Sequence, residues 1–170
     1  MRVLNFFLPG LAAVFLAGCA SYHLGPVNAV AAGDKTVEVL PFNNLTLQPR
    51  LGDAVTQSLR ERLQVDGTYR LATRDPGDLV VSGEIRAYNR AGLGYLNNDA
   101  TTTQNYRVDV TAHVVICERA SGKLLLERDV KGHTLVNVGS DFASSERQAA
   151  PLLAADLAQN IAELLTEGTW

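Results

Sequence analysis

The segment Tyr106–Ile116 alternates between apolar and polar side chains, and this alternation constrains the fold more than any other feature of the chain. Its even-numbered positions are all apolar: Tyr106, Val108, Val110, Ala112, Val114 and Ile116. Its odd-numbered positions begin with polar residues: Arg107, Asp109, Thr111 and His113. Because successive side chains of a β-strand point to opposite faces, this strand has one buried and one polar face. The pattern is typical of an antiparallel sheet that is covered on one side only.

A second alternating segment, Leu79–Tyr95, predicts a partner for this strand. One of its faces carries small and apolar residues: Leu79, Val81, Gly83, Ile85 and Ala87. Between the two segments lies Asn97–Asp99, whose composition predicts a turn. The two segments are therefore expected to form an antiparallel hairpin.

The register of this hairpin follows from the apolar faces of its strands. If the hairpin is centred on the turn, Ile85 lies opposite Ala112 and Arg86 lies opposite Thr111. The two apolar sets then share one face, whereas a slip of one residue would separate them. Three further strands are predicted at residues 36–40, 68–73 and 123–136.

Two other segments repeat apolar residues at helical spacing. The segment Arg50–Val65 carries one stripe and the segment from Phe142 to Gly168 carries another. The stripes consist of Leu51, Val55, Leu59 and Leu63 in the first helix, and of Leu153, Leu157, Ile161 and Leu164 in the second. Because 46% of the residues are hydrophobic, the chain can build a core. The predicted fold is α+β in two layers, with two amphipathic helices packed on one face of a four- or five-stranded, mainly antiparallel sheet.

The N-terminal residues predict the compartment. A positive start is followed by Val3–Phe15, an apolar run too short to span a bilayer but typical of a secretory signal peptide. The motif Leu16-Ala17-Gly18-Cys19 then resembles a bacterial lipobox. We therefore expect a lipoprotein signal peptide at residues 1–18, a lipidated N-terminus and tether at 19–34, and a single domain at 35–168. The alternative is an ordinary signal peptide with a chance cysteine.

The lipobox interpretation has consequences for the mature chain. Cys19 would carry acyl chains, palmitate among them, and several chains hold a protein at a membrane better than one. No Asp follows Cys19, which favours delivery to the outer membrane, with the domain on its periplasmic face. Cys117 would be the other cysteine, and a structural thiol is the expected role for it.

No residue pattern predicts bond-making chemistry. The three histidines, His23, His113 and His133, lack ligand spacing, and no cysteine pair flanks them. Neither a nucleophile elbow nor a phosphate-binding glycine signature is present. We therefore predict no enzyme activity, no metal site and no cofactor. The net charge of −3 argues against a nucleic-acid partner.

Three arginines predict a weak anion-binding patch. Arg86, Arg90 and Arg107 are expected to cluster on the open face of the hairpin, where planar guanidinium groups suit lipid phosphates. The alternative is a mixed, solvated sheet face, because Glu84 and Asp109 lie nearby in the sequence.

Segments along almost the whole mature chain resemble the lipopolysaccharide-assembly lipoprotein family, LptE. The order and spacing of these segments carry the resemblance, and the lipobox is the sharpest motif among them. The segments are 19–25, 37–44, 51–63, 78–85, 106–116 and 146–165. Two predicted loops, Phe42–Arg50 and Thr101–Thr103, need not match family members that act as barrel plugs.

The resemblance implies a lipid-anchored protein of the outer membrane that sits as a plug and assembly partner inside the β-barrel translocon LptD. It also implies binding of lipopolysaccharide during delivery to the outer leaflet. The alternative is an auxiliary outer-membrane lipoprotein of another lipid-transport or secretion complex. A third class, an enzyme or stand-alone ligand binder, would need a deep pocket with convergent polar groups, which the sequence does not indicate.

Overall fold

The computed structural model of the chain describes residues 33–96, 99–137 and 142–168. The strands are β1 (Thr36–Val39), β2 (Asn43–Asn44), β3 (Arg70–Leu71), β4 (Leu79–Leu96), β5 (Asp99–Glu118) and β6 (Leu124–Asn137), and the helices are α1 (Leu51–Asp66) and α2 (Phe142–Glu167). The predicted signal peptide, Cys19 and all of the tether before Gly33 lie outside the described residues, as do the turn residues Asn97 and Asn98.

One sheet contains all six strands, in the order β3-β1-β4-β5-β6, and β2 lies beside β4 beyond the end of β1. The pairs β4–β5 and β5–β6 are antiparallel, whereas β1 and β2 run parallel to β4, and β3 runs parallel to β1. The predicted α+β class is confirmed. The short parallel strands make the sheet mixed, because α1 forms a crossover between β1 and β3, and a crossover returns the chain in the same direction.

Both helices pack on the same core. In α1 the predicted stripe is buried, and each of its four leucine or valine side chains is at most 1% exposed. In α2 the large side chains that are fully buried are Leu153, Leu157, Ile161 and Leu165. Leu165 thus takes the core position predicted for Leu164, which is only partly buried, because the stripe drifts around a straight helix by the last turn.

Close contact between α2 and β6 requires a glycine at Gly132. A Cβ atom at this position would lie 2.8 Å from both the backbone nitrogen and the Cβ of Leu157. The outer edge of β6 is also covered here. The His133 N–H donates to the Asp156 carboxylate at 2.8 Å, and the Asn160 side chain donates to the Lys131 carbonyl at 2.8 Å. These two contacts occupy backbone groups that an edge strand otherwise leaves open.

A clasp holds the β3–β4 loop against the start of β1. The Thr36 N–H and hydroxyl both donate to the Asp78 carboxylate, at 2.8 and 2.7 Å. These hydrogen bonds favour the ionised form and lower the pKa of Asp78 below its ordinary value of 3.8. Just after β5, the Arg119 Nε–H donates to the Gly77 carbonyl at 2.9 Å. The loop is therefore held from two strands.

Candidate functional site

The candidate site is the face of β4, β5 and β6 that the helices leave open. Opposite the buried side chains, β5 presents its odd-numbered polar residues, as the alternation predicts. On β6 the partners of these residues include Asp129, Lys131 and Leu135. Leu135 is 65% exposed, so this face also carries an apolar side chain in water.

His113 joins two carboxylates at the centre of this face. Its Nδ1 lies 2.9 Å from an Asp129 oxygen, and its Nε2 lies 3.1 Å from a Glu127 oxygen. An imidazole donates from both nitrogens only when it is protonated, so both contacts are hydrogen bonds in the charged form. Side chains of two strands are thereby tied together on the solvent side of the sheet.

The same network includes Arg86. Its guanidinium lies 3.5 Å from the Glu84 carboxylate and 3.8 Å from the Asp129 carboxylate. The ionic contacts therefore run across all three strands, from β4 to β6. About half of each of these side chains is exposed, so each pair contributes little stability.

Arg107 lies on the open face as predicted, but in a separate ion pair. Its Nε is 2.8 Å from Asp109. Arg86 lies beside Thr111 of β5, and Arg107 lies four residues along β5 from Thr111. At the usual rise of a strand, this backbone separation is about 14 Å. Both arginines have carboxylate partners, which a phosphate would have to displace. The open face thus matches the mixed, solvated arrangement more closely than a single anion patch.

The placement of Arg90 on the open face was wrong, and a β-bulge at Arg86 is the reason. Ile85 pairs with Ala112 as predicted, but Thr111 lies opposite Ala87, and Arg86 is the extra residue. An inserted residue exchanges the faces of all that follow it. Tyr88 and Arg90 therefore lie opposite the buried Val110 and Val108, on the side of the helices.

On this side of the sheet, the partly exposed side chain of Arg90 contacts α2. Its Nε lies 2.7 Å from a Glu146 oxygen, and the Tyr88 hydroxyl donates to the same oxygen at 2.6 Å. The guanidinium also lies 5.4 Å from the centre of the Tyr88 ring. Desolvation by burial and, next, the Glu146 carboxylate raise the pKa of Tyr88 to about 12. Arg90, Tyr88 and Glu146 together fix the start of α2 to the hairpin.

The sequence pointed to Glu84 and Asp109 as neighbours of these arginines, but not to Glu146 and Asp129. Glu146 lies 56 positions beyond Arg90 in the chain, and Asp129 lies 43 positions beyond Arg86. Only the β4–β5–β6 register and the bulge bring these groups together, and no local pattern signals either. The sequence offers one sign of the bulge. The alternation predicts that Tyr88, a large aromatic residue just after Arg86-Ala87, lies on the polar face, and such a residue is more typical of the buried face.

Within residues 33–96, 99–137 and 142–168, no group of three or more metal-ligating side chains is arranged to hold an ion. Neither helix in this part of the chain is long and apolar enough to cross a membrane. Cys117 is a half-buried free thiol. Cys19, the predicted lipidation site, lies outside the described residues.

Comparison with known proteins gives one family. The family model LptE, described as lipopolysaccharide-assembly, matches residues 35–165. No curated protein matches the chain in sequence.

Several solved structures share the fold. A hypothetical protein of Chlamydia trachomatis is 12% identical with a TM-score of 0.56, covering 78% of this chain and 95% of that one. A minor lipoprotein from Acinetobacter baumannii is 15% identical with a TM-score of 0.51, covering 78% of this chain and 92% of that one. The rare lipoprotein B from Shewanella oneidensis is 11% identical with a TM-score of 0.50, covering 77% of this chain and 93% of that one. At these identities the likeness concerns the fold alone.

Proposed function

Because the chain belongs to the lipopolysaccharide-assembly family LptE, as its sequence resemblance predicts, we propose that it is an outer-membrane lipoprotein that plugs and helps to assemble the LptD β-barrel. In this role it binds lipopolysaccharide during delivery to the outer leaflet. The observation that carries the proposal is the match over residues 35–165, which spans every strand and nearly all of α2. The mechanism is binding and gating, without bond chemistry.

The open face of the sheet is the surface that we assign to the barrel. The opposite face is already covered by α1 and α2, whereas the open face carries charges that are paired with one another across strands. The lumen of a large outer-membrane barrel is polar and wet. A surface whose charges are mostly paired with one another, and which carries an exposed leucine, Leu135, suits such a lumen.

The lipid on Cys19 supplies the second part of the proposal. Acyl chains on this residue would hold the domain at the inner leaflet of the outer membrane, on the periplasmic side. A tether at residues 19–34 would keep the domain near its barrel and raise its local concentration there.

For lipopolysaccharide we assign contacts to Arg86 and Arg107, the two arginines that share the open face. Each has a carboxylate neighbour, so a phosphate must compete for it. Arg90 lies on the helix face, where it positions α2 through Glu146, and we assign it no contact with lipopolysaccharide. Replacing Arg86 and Arg107 together by Gln is expected to weaken lipopolysaccharide binding, whereas Arg90→Gln alone is expected to leave it unchanged.

Purification of the tagged, lipidated protein from detergent-solubilised outer membranes tests the proposal. We expect a large β-barrel protein to co-purify in about equal amount. Cys19→Ala is the matched control, because it keeps the domain intact and should release the protein from the membrane. Recovery of the protein alone, or with a periplasmic transport complex, would contradict the plug role and favour an auxiliary lipoprotein.

A further inference from the structure

A cleft of about 450 Å³ lies next to the end of β1, beyond the point where β3 stops. Three arginines from separate parts of the chain line it: Arg60 of α1, Arg74 of the β3–β4 loop and Arg119 just after β5. None of them belongs to the open-face set described above. The clasp between Thr36 and Asp78 fixes the loop that carries Arg74.

Among the residues that the structure describes, two of the three guanidinium groups have no carboxylate partner. Arg60 is part-buried, and it donates to the Val39 carbonyl at 2.7 Å. A carbonyl accepts a hydrogen bond but does not neutralise the charge. In the described part of the chain no carboxylate lies within ion-pair distance of Arg60 or Arg74, whereas Arg119 is paired with Glu38.

These positions favour an anion in the cleft. Arg60 keeps most of its five N–H donors after its one bond to the backbone, and its planar fork is pre-positioned by that bond. The other carboxylate in the wall is Asp75, which has no ion pair in the described part of the chain and opposes an anion. The wall of the cleft thus carries three arginines and two carboxylates, a local excess of one positive charge in a chain of net charge −3.

We propose that this cleft binds a phosphate group, with Arg60 and Arg74 as its ligands. Guanidinium groups bind phosphate oxygens through paired, charge-assisted hydrogen bonds. The cleft has room for the phosphate together with part of an attached headgroup. The phosphate can come from a lipid headgroup or from free phosphate. The proposal does not rest on the assignment of the barrel-facing surface.

The test is a titration of the full-length protein in a neutral detergent, followed by NMR of arginine Nε–H signals. Inorganic phosphate is expected to shift the Arg60 and Arg74 signals, and the Arg60→Gln/Arg74→Gln double variant is expected to bind roughly fivefold more weakly or worse. Arg62→Gln, which removes the same charge from an exposed position of α1, is the matched control and should bind as the wild type does.

Two further variants keep the test independent of folding. Arg74 is exposed and makes no described side-chain contact, so Arg74→Gln should weaken binding with an unchanged melting temperature. Asp75→Asn should strengthen binding by removing the opposing charge. Absence of phosphate-dependent shifts at Arg60 and Arg74, or equal loss of binding in Arg62→Gln, would overturn the proposal.

The source of the phosphate is identified by three additional ligands: short-chain phosphatidic acid, lipopolysaccharide, and lipopolysaccharide from which the phosphates have been removed. Tighter binding of a phosphorylated lipid than of inorganic phosphate would support a headgroup site. Equal binding would support a free-phosphate site. If the dephosphorylated lipid shifts the same arginine signals as the phosphorylated one, recognition does not depend on phosphate, and the proposal fails.

Discussion

The two faces of the sheet are held in different ways. On the helix face, side chains such as Ile85, Val110 and Ile116 are fully buried, so the apolar area removed from water stabilises the fold. On the open face, charged side chains pair with one another. Each of these side chains is 37–57% exposed, except that of His113, which is 18% exposed. Stability therefore resides in one face, and the other is available for a partner.

The bulge at Arg86 decides which residues of β4 belong to each face. Before it, Leu79, Val81 and Ile85 point to the helices; after it, Tyr88 and Arg90 do. One inserted residue thus moves Arg90 from the open face to the helix face, where Arg90, Tyr88 and Glu146 hold the start of α2. Substitutions on the two faces should therefore differ in their cost to stability.

The largest contrast is between two aliphatic truncations. Ile85→Ala removes a fully buried side chain from the helix face and should lower the free energy of unfolding by about 2–5 kcal/mol. Leu135→Ala removes a side chain that is 65% exposed on the open face and should change it by less than about 0.5 kcal/mol. Urea unfolding of the detergent-solubilised protein measures both. Equal losses would mean that the open face is also a packed core.

Gly132→Ala tests the close approach of α2 to the helix face. The added methyl group would meet Leu157 backbone atoms at 2.8–2.9 Å, and a helix backbone cannot yield as a side chain can. We expect a loss of about 1–3 kcal/mol. Lys131→Ala at the adjacent exposed position is the control. A neutral result at Gly132 would contradict the close packing of α2 on β6.

Glu146→Gln tests the contact of Glu146 with Arg90 and Tyr88, which exists because of the bulge. Loss of the Arg90 ion pair, with Glu146 only 12% exposed, should cost about 1–2 kcal/mol. The pKa of Tyr88 should also fall from about 12 towards its ordinary value of 10, because the negative acceptor is gone.

The contribution of the Tyr88–Glu146 hydrogen bond to the free energy of unfolding depends on pH, and the sign of this dependence is defined. Since the folded-state pKa of Tyr88 is raised, its neutral hydroxyl contributes stability that is present below pH 10 and lost as pH rises towards 12. A spectrophotometric titration of tyrosine, with Tyr88→Phe to assign the signal, measures the shift. A titration of Tyr88 that does not respond to Glu146→Gln would contradict the contact.

The smallest effect is expected for Arg86→Gln on the open face. Its ion pairs are long and half exposed, so the free energy of unfolding should change by less than about 0.5 kcal/mol. The comparison with Glu146→Gln is made under identical salt conditions, because exposed pairs are screened. A larger loss for Arg86→Gln than for Glu146→Gln would reverse the assigned roles of the two faces.

Much of the fold could be predicted from periodicity alone. The stripe of α1, the buried set of β5 and the pairing of Ile85 with Ala112 depend on patterns that are local in sequence. The family was also predictable, since its segments occur in order along the chain.

What could not be predicted depends on insertions and long-range register. A bulge adds one residue without any required sequence signal, so Arg90 was assigned to the wrong face. The threonines at 101–103 belong to β5 rather than to a loop, because pairing with β4 extends the strand beyond its alternating part. Arg60 of α1 and Arg74 of the β3–β4 loop line the same cleft only in the folded chain.

The most direct test of the assigned partner surface compares two exposed leucines in cells that contain the barrel. Leu135 on the open face and Leu152 on α2 are 65% and 62% exposed, so either can be replaced by a photo-crosslinking amino acid at little cost in stability. We expect crosslinks to the LptD barrel from position 135 and none from position 152. Crosslinks from position 152 without any from position 135 would contradict the assignment of the open face to the barrel.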